Sequence, residues 1–181
     1  FFSFEGMGFT PDIVCLSKAI GGIGLPMALV LFRPELDVLA PGEHNGTFRG
    51  HNLAFVAATA ALKHWRSPTF GEMIQRRGLE IKRRLEEIVT RFPARGAHVR
   101  GRGMMLGIGW DDAAIAGQVS TEAFQYGVIA ETTGSSDQVL KLLPPLVIND
   151  EELARGLDGL EMAVAAVTGS LSAPASLTAA E

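Results

Sequence analysis

Apolar and polar positions follow two rhythms along this chain of 181 residues. Two short, nearly unbroken apolar runs, Ile13-Val-Cys-Leu16 and Met27-Ala-Leu-Val-Leu-Phe32, predict strands over 12–17 and 27–32. Past Pro41-Gly42 the rhythm turns helical. Asn52–Trp65 is alanine-rich with Leu53, Val56, Ala60 and Ala61 or His64 at helical spacing, and Ser67-Pro68 breaks it. Thr69-Phe-Gly-Glu72 has the capping-box pattern and opens a long helix to about Arg91, with Ile74, Ile81, Leu85, Ile88 and Phe92 on one face. Glu72–Arg76, Glu80–Arg84 and Glu87–Arg91 stand four apart with the acid first, a spacing that supports helix.

The second half alternates more evenly. Val99–Trp110 reads as one strand entered through a turn, and Asp112 caps a helix over Ala113–Tyr126 that Gly127 closes. Val128–Glu131 and Val139–Leu142 predict strands around a Gly134–Asp137 turn. Asn149-Asp-Glu-Glu152 caps a last helix carrying Leu153, Leu157, Leu160, Val164 and Val167. The order predicts an α/β chain in three parts: residues 1–67, then a linking helix with a small α+β domain over 68–169, then a tail. The tail, 170–181, is rich in Ala, Ser and Thr and is expected to be disordered.

Composition narrows the class. A hydrophobic content of 47% can build a sizeable core. The chain starts Phe-Phe, with no basic segment or small-residue cleavage site, and so reads as an internal start without a secretory signal. No apolar run approaches the roughly 18 residues a membrane span needs. A lone cysteine, Cys15, excludes an internal disulfide and fits a reducing compartment, which points to the cytoplasm. A net charge of −4 with interspersed signs argues against nucleic acid, and the run Lys82-Arg83-Arg84, surrounded by acids, reads as a solvated face.

Candidate chemistry gathers in two places. The first strand delivers Lys18 to a break marked by Gly21, Gly22 and Gly24. An amine held there by burial would lose its proton and become a nucleophile toward carbonyls; a turn lysine in water is the competing reading. The loop Glu43-His-Asn-Gly-Thr47-Phe-Arg-Gly-His51 offers glycines, amides and a hydroxyl ahead of a helix, which suits an anion. Equally, Thr47 could simply cap that helix. His44 and His51 lack a carboxylate at metal-ligand spacing, so no metal site is expected. Gly101, Gly103 and Gly107 miss the dinucleotide spacing.

Pro11-Asp-Ile-Val-x-Leu-Ser-Lys18-Ala-Ile-Gly-Gly followed by Leu-Pro and an apolar run resembles the cofactor-lysine segment of class III aminotransferases, and Pro41–Ala54 resembles their second signature. The wording Gly-Glu-His-Asn-Gly-Thr-Phe-Arg-Gly is similar to the branch that forms L-2,4-diaminobutyrate at the opening of ectoine biosynthesis. The resemblance runs from residue 1 to about 168. It implies a fold type I pyridoxal 5'-phosphate (PLP) transferase, represented by the C-terminal portion of its large domain and a small α+β C-terminal domain. It implies that Lys18 is catalytic and holds PLP as a Schiff base, and that Thr47 binds the phosphate of the neighbouring subunit's PLP, making the enzyme a homodimer or larger homo-oligomer. L-Glutamate would be the donor and L-aspartate 4-semialdehyde the acceptor, with another ω-aminotransferase (ornithine, acetylornithine or 4-aminobutyrate) or a non-catalytic fragment as alternatives.

Two features depart from the family. The upstream phosphate loop, ring-stacking aromatic and pyridine-nitrogen aspartate are not among residues 1–17, whose acids are Glu5 and Asp12. The chain therefore reads as the C-terminal part of a longer enzyme, and Asp12 as a strand-entry residue. Finally, Lys141 stands where many relatives place a carboxylate-binding arginine ahead of Pro144-Pro145, and it offers a point charge in place of a planar fork.

Overall fold

A computed structural model describes residues 1–22, 24–47 and 49–169; the tail expectation for 170–181 lies outside the described residues. The chain forms two compact units, the first spanning Phe1–Glu72 and the second beginning at Met73. No helix among the described residues is long and apolar enough to cross a membrane.

In the first unit, β1 (Ile13–Ser17) and β2 (Ala28–Phe32) pair antiparallel, with Ile13 opposite Phe32 and Ser17 opposite Ala28. Asp12 meets Arg33 at 3.0 Å where β1 starts and β2 ends, so it closes the strand pair as a strand-entry residue. Helix α1 (Asn52–Leu62) is shorter than the pattern predicts, because the chain tightens into a 3-10 turn over His64–Arg66. Phe1, Trp65 and Phe70 pack edge-to-face at 5.2 and 5.0 Å, and Phe2 stacks on Phe4 at 5.1 Å. Ring–ring contacts of this geometry add modestly to area burial.

Helix α2 runs over Pro68–Arg91. It starts on proline, whose fixed φ suits a first helical position, and the Thr69 hydroxyl lies 2.6 Å from Ser67 Oγ inside the first turn. The helix therefore begins one residue before the expected capping box.

The second unit packs α2, α3 (Ala113–Gln125) and α4 (Asp150–Gly169) with a four-stranded antiparallel sheet. The sheet order is β3 (His98–Arg102), β4 (Met105–Gly109), β6 (Val139–Leu142), β5 (Glu131–Thr133). The stretch expected as one strand is thus a hairpin. Arg102 pairs with Met105 across the two-residue loop Gly103-Met104, with Gly103 at φ +59°; glycine first in such a loop matches the twist of the strands. Strand β5 starts where the predicted strand was to end.

Ile81, Leu85, Ile88, Leu106, Ile108, Trp110, Val119, Leu140, Leu157, Leu160 and Val164 form the core. Local caps fix the helix ends. Asp112 Oδ1 accepts from Ala114 N at 3.0 Å, and Asn149 Oδ1 accepts from Glu152 N at 2.8 Å. At the end of α3, Gly127 at φ +77° lets Val128 N reach Ala123 O and its own N reach Phe124 O, at 2.9 and 3.1 Å.

The three arginines expected to pair four residues back along α2 find partners elsewhere. Arg84 bonds Asp158 at 2.6 Å and Glu161 at 3.3 Å, Arg91 also binds Glu161, and Arg76 meets Asp150 at 3.3 Å. The Asp158 hydrogen bond, with the charges of Asp158 and Glu161, raises the Arg84 pKa above its ordinary value against some desolvation. The supposed solvated face therefore splits. Lys82 and Arg83 pair with Glu86 and Glu87 on the outside, while Arg84 turns inward and stitches α2 to α4.

Candidate active site

Strand β1 ends at Ser17, and the next residue, Lys18, sits at φ +58° as it opens a 3-10 turn to Gly21. A residue with a Cβ in the left-handed region costs about 1–3 kcal/mol, and such strain persists where the surroundings over-determine it. Gly22 explains part of that constraint. Its φ is +75°, and a Cβ there would lie 2.9 Å from Ala57 O of α1 and 3.4 Å from Ala61 Cβ. The turn carrying Lys18 is therefore pressed against α1, and no side chain fits between them.

Lys18 is exposed in this chain rather than buried. The two-stranded sheet is itself thinly covered, with Ile13, Val30, Leu31 and Phe32 43–57% exposed. A two-stranded pair alone offers little shelter from water.

The loop before α1 is laced by its own side chains. Glu43 Oε2 accepts from Ala40 N at 2.7 Å, Asn45 donates to Gly42 O at 3.1 Å, and the Arg49 guanidinium donates to His44 O. His51, not Thr47, caps α1: its Nδ1 accepts from Ala54 N at 3.2 Å. Sequence reasoning missed this cap because histidine is not a preferred capping residue. Thr47 is left exposed, with no hydrogen bond to its hydroxyl among the described residues. The structure thus removes the capping role as the competing explanation for that threonine.

These residues fit part of a PLP molecule. Lys18 would supply an amine for its aldehyde carbon, and Thr47 would supply a hydroxyl ahead of a helix, where a phosphate is favoured. Asp12, the acid nearest Lys18 in sequence, is engaged by Arg33 and is not presented to a ring nitrogen.

Lys141 belongs to the second unit, where its Nζ lies 2.9 Å from Glu131 Oε2 and its side chain is 25% exposed. Both residues line a cavity of about 610 Å³ together with Tyr126, Val128, Pro144 and Arg155. The neighbouring loop is tied down by Arg77, a buried guanidinium that donates to Leu146 O at 3.1 Å and to Asp150 at 3.3 Å. The charge of Arg76 holds the Asp150 carboxyl below its ordinary pKa against desolvation, with hydrogen bonds from Arg77 and Arg76 adding to the lowering.

The family model for aminotransferase class III matches residues 1–164. The chain belongs to the class III aminotransferases. More particularly, it is 52% identical over 166 residues to the diaminobutyrate–2-oxoglutarate transaminase of Oceanobacillus iheyensis, covering 92% of this chain and 39% of that protein. The enzyme of the same name from Halalkalibacterium halodurans is 53% identical over 167 residues, with 92% and 39% covered. Among solved structures, the N-acetylornithine aminotransferase of Stenotrophomonas maltophilia is 30% identical with a TM-score of 0.78, covering 93% of this chain and 43% of that one. An ornithine aminotransferase from Toxoplasma gondii, described with PLP partly occupying its active site, is 29% identical at TM-score 0.78, covering 88% and 38%. This chain spans about two-fifths of the length of the curated relatives it matches.

Proposed function

We propose that this chain carries the cofactor lysine of a cytoplasmic, homodimeric PLP-dependent aminotransferase that moves the amino group of L-glutamate to L-aspartate 4-semialdehyde. The products are 2-oxoglutarate and L-2,4-diaminobutyrate, which opens ectoine biosynthesis. The observation that carries the reading is Lys18, held at φ +58° on the end of β1 by a turn that only glycine lets close against α1.

When bound, PLP supplies the electron sink for labilising the substrate Cα–H bond. Lys18 would hold the cofactor through Nζ and would act as the base at the substrate α-carbon, a role that needs a neutral amine and therefore a covered strand end. Thr47 would offer its hydroxyl to the phosphate, in a homodimer that of the partner's site. Lys141 is the carried-over candidate for a substrate carboxylate.

A related ω-aminotransferase acting on ornithine or acetylornithine is the second reading, favoured by the names of the solved neighbours. The identity of about one half to transaminases of diaminobutyrate weighs more than the 30% to those neighbours. Turnover of L-glutamate with L-aspartate 4-semialdehyde, measured against the same donor with the semialdehydes made from ornithine and acetylornithine, separates the two. Lys18→Ala is expected to abolish turnover in the PLP-loaded protein while far-ultraviolet dichroism stays unchanged. Near-normal turnover would remove Lys18 from its role.

A further inference from the structure

Helix α1 has a cap that only one charge state of a side chain can make. The first N–H groups of a helix find no carbonyl within it to bond. Here Nδ1 of His51 accepts from Ala54 N at 3.2 Å, and the His51 carbonyl accepts from Phe55 N at 3.1 Å. A neutral imidazole has one nitrogen able to accept; the imidazolium has none. Asparagine or serine in this place would keep its acceptor at every mild pH, whereas an imidazole gives it up between about pH 5 and 8. Protonation also sets a positive charge at the positive end of the helix dipole, which adds to the loss.

The loop that carries Thr47 runs straight into this cap. Arg49 N bonds Gly46 O at 3.3 Å, closing a turn that includes Thr47, and the Arg49 guanidinium donates to His44 O. Gly50 then lies so close to α1 that a Cβ there would meet the Phe55 ring at 2.8 Å. Only that turn and that glycine separate Thr47 from His51. The charged and titratable groups nearby leave the His51 ring to itself. The turns packed on α1 bring Lys18, His64 and Arg66, and the loop brings Glu43, His44 and Arg49. Glu43 holds Ala40 N and Arg49 holds His44 O. None of the six bonds or pairs with the His51 ring among the described residues. The ring is exposed, so solvent protons reach it.

We infer that His51 is a positioning residue: its neutral ring caps α1 and fixes the end of the loop that presents Thr47 to a phosphate group, and protonation of the ring releases that loop. The inference rests on the aminotransferase reading for its ligand, and on the fold alone for the cap. Phosphate affinity at the Thr47 loop therefore falls in mild acid for a reason that lies in the protein, apart from any change in the ligand's own charge.

The test first follows the amide shifts of Ala54 and Thr47 by nuclear magnetic resonance, without ligand, from about pH 8 to about pH 5, the range in which an imidazole titrates. In the parent the two should move with one common midpoint. In His51→Asn, whose Oδ1 keeps an acceptor at the cap, that common transition should vanish, leaving at Thr47 only what His44 causes. A Thr47 amide that does not follow Ala54, or a common transition that survives in His51→Asn, overturns the inference. Binding gives the second readout. Pyridoxine 5'-phosphate carries the phosphate without the aldehyde, so it needs no bond to Lys18. Its dissociation constant should agree within about twofold between parent and His51→Asn at the upper pH, and be about fivefold larger in the parent at the lower, the scale of one lost cap. His51→Ala should bind about fivefold more weakly than His51→Asn at both. A parent-to-His51→Asn ratio that is constant with pH would leave His51 a merely structural residue and overturn the inference, while the transaminase reading stands. If the ligand binds none of the three proteins and the common transition is still lost in His51→Asn, the cofactor reading fails and the pH-dependent cap remains.

Discussion

The two units of this molecule spend their apolar residues differently. Past Met73, Ile81, Leu85, Ile88, Ile108, Trp110, Leu140 and Leu160 are no more than 1% exposed. In the first unit the buried apolar residues among those described are Ala54 and Ala58, while Val38, Leu53, Val56, Phe9 and Val30 stand 57–80% exposed. Yet the first unit holds Lys18 and Thr47. The second unit has a buried core of its own. The first carries its candidate chemical groups on a thin frame.

That contrast can be broken most directly in the core. Leu85→Ala should lower the stability of the second unit by about 2–5 kcal/mol, the range for a fully buried leucine. Val30→Ala in β2 should cost only about 0.5 kcal/mol, because the side chain is mostly exposed already. Chemical denaturation of both variants checks the difference, and equal losses would erase the distinction between the units. Next in size, Asn149→Ala should cost about 1 kcal/mol by leaving Glu152 N without its cap, read as a lower midpoint in the same titration.

The smallest effect is electrostatic. Asp150 has a folded-state pKa below its ordinary 3.8, so the stability it contributes is fully present above that value. It is lost as pH falls through the lower folded value, when the carboxyl is protonated and Arg76 and Arg77 lose their partner. Melting temperatures of the parent and Asp150→Asn should therefore differ by a constant amount above about pH 5 and converge toward pH 2. A difference that persists unchanged into acid would show that the pair contributes nothing through its charge.

Local chemistry was legible in the sequence, and contacts between distant segments were not. Asp112, Asn149 and Gly127 act within a few residues of themselves, and their caps form as the pattern predicts. Arg84 was read against Glu80, four residues away, whereas its partners Asp158 and Glu161 lie 74 and 77 residues off. Nothing in the local periodicity of α2 distinguishes the two choices. The hairpin at Gly103 was hidden because both of its strands are apolar and glycine-rich, so the pattern ran on through the turn. For the site, the family resemblance pointed to Lys18 and Thr47 where spacing alone left turn and cap readings open, and the left-handed backbone at Lys18 and the His51 cap depend on packing around α1.

One measurement bears on the central claim more directly than any rate. The protein is incubated with PLP, reduced with borohydride and digested, and the modified peptide is identified by mass spectrometry. A single pyridoxyl group on Lys18, absent from Lys18→Ala, is the predicted result. A label on Lys63, Lys82 or Lys141 with Lys18 untouched would contradict it.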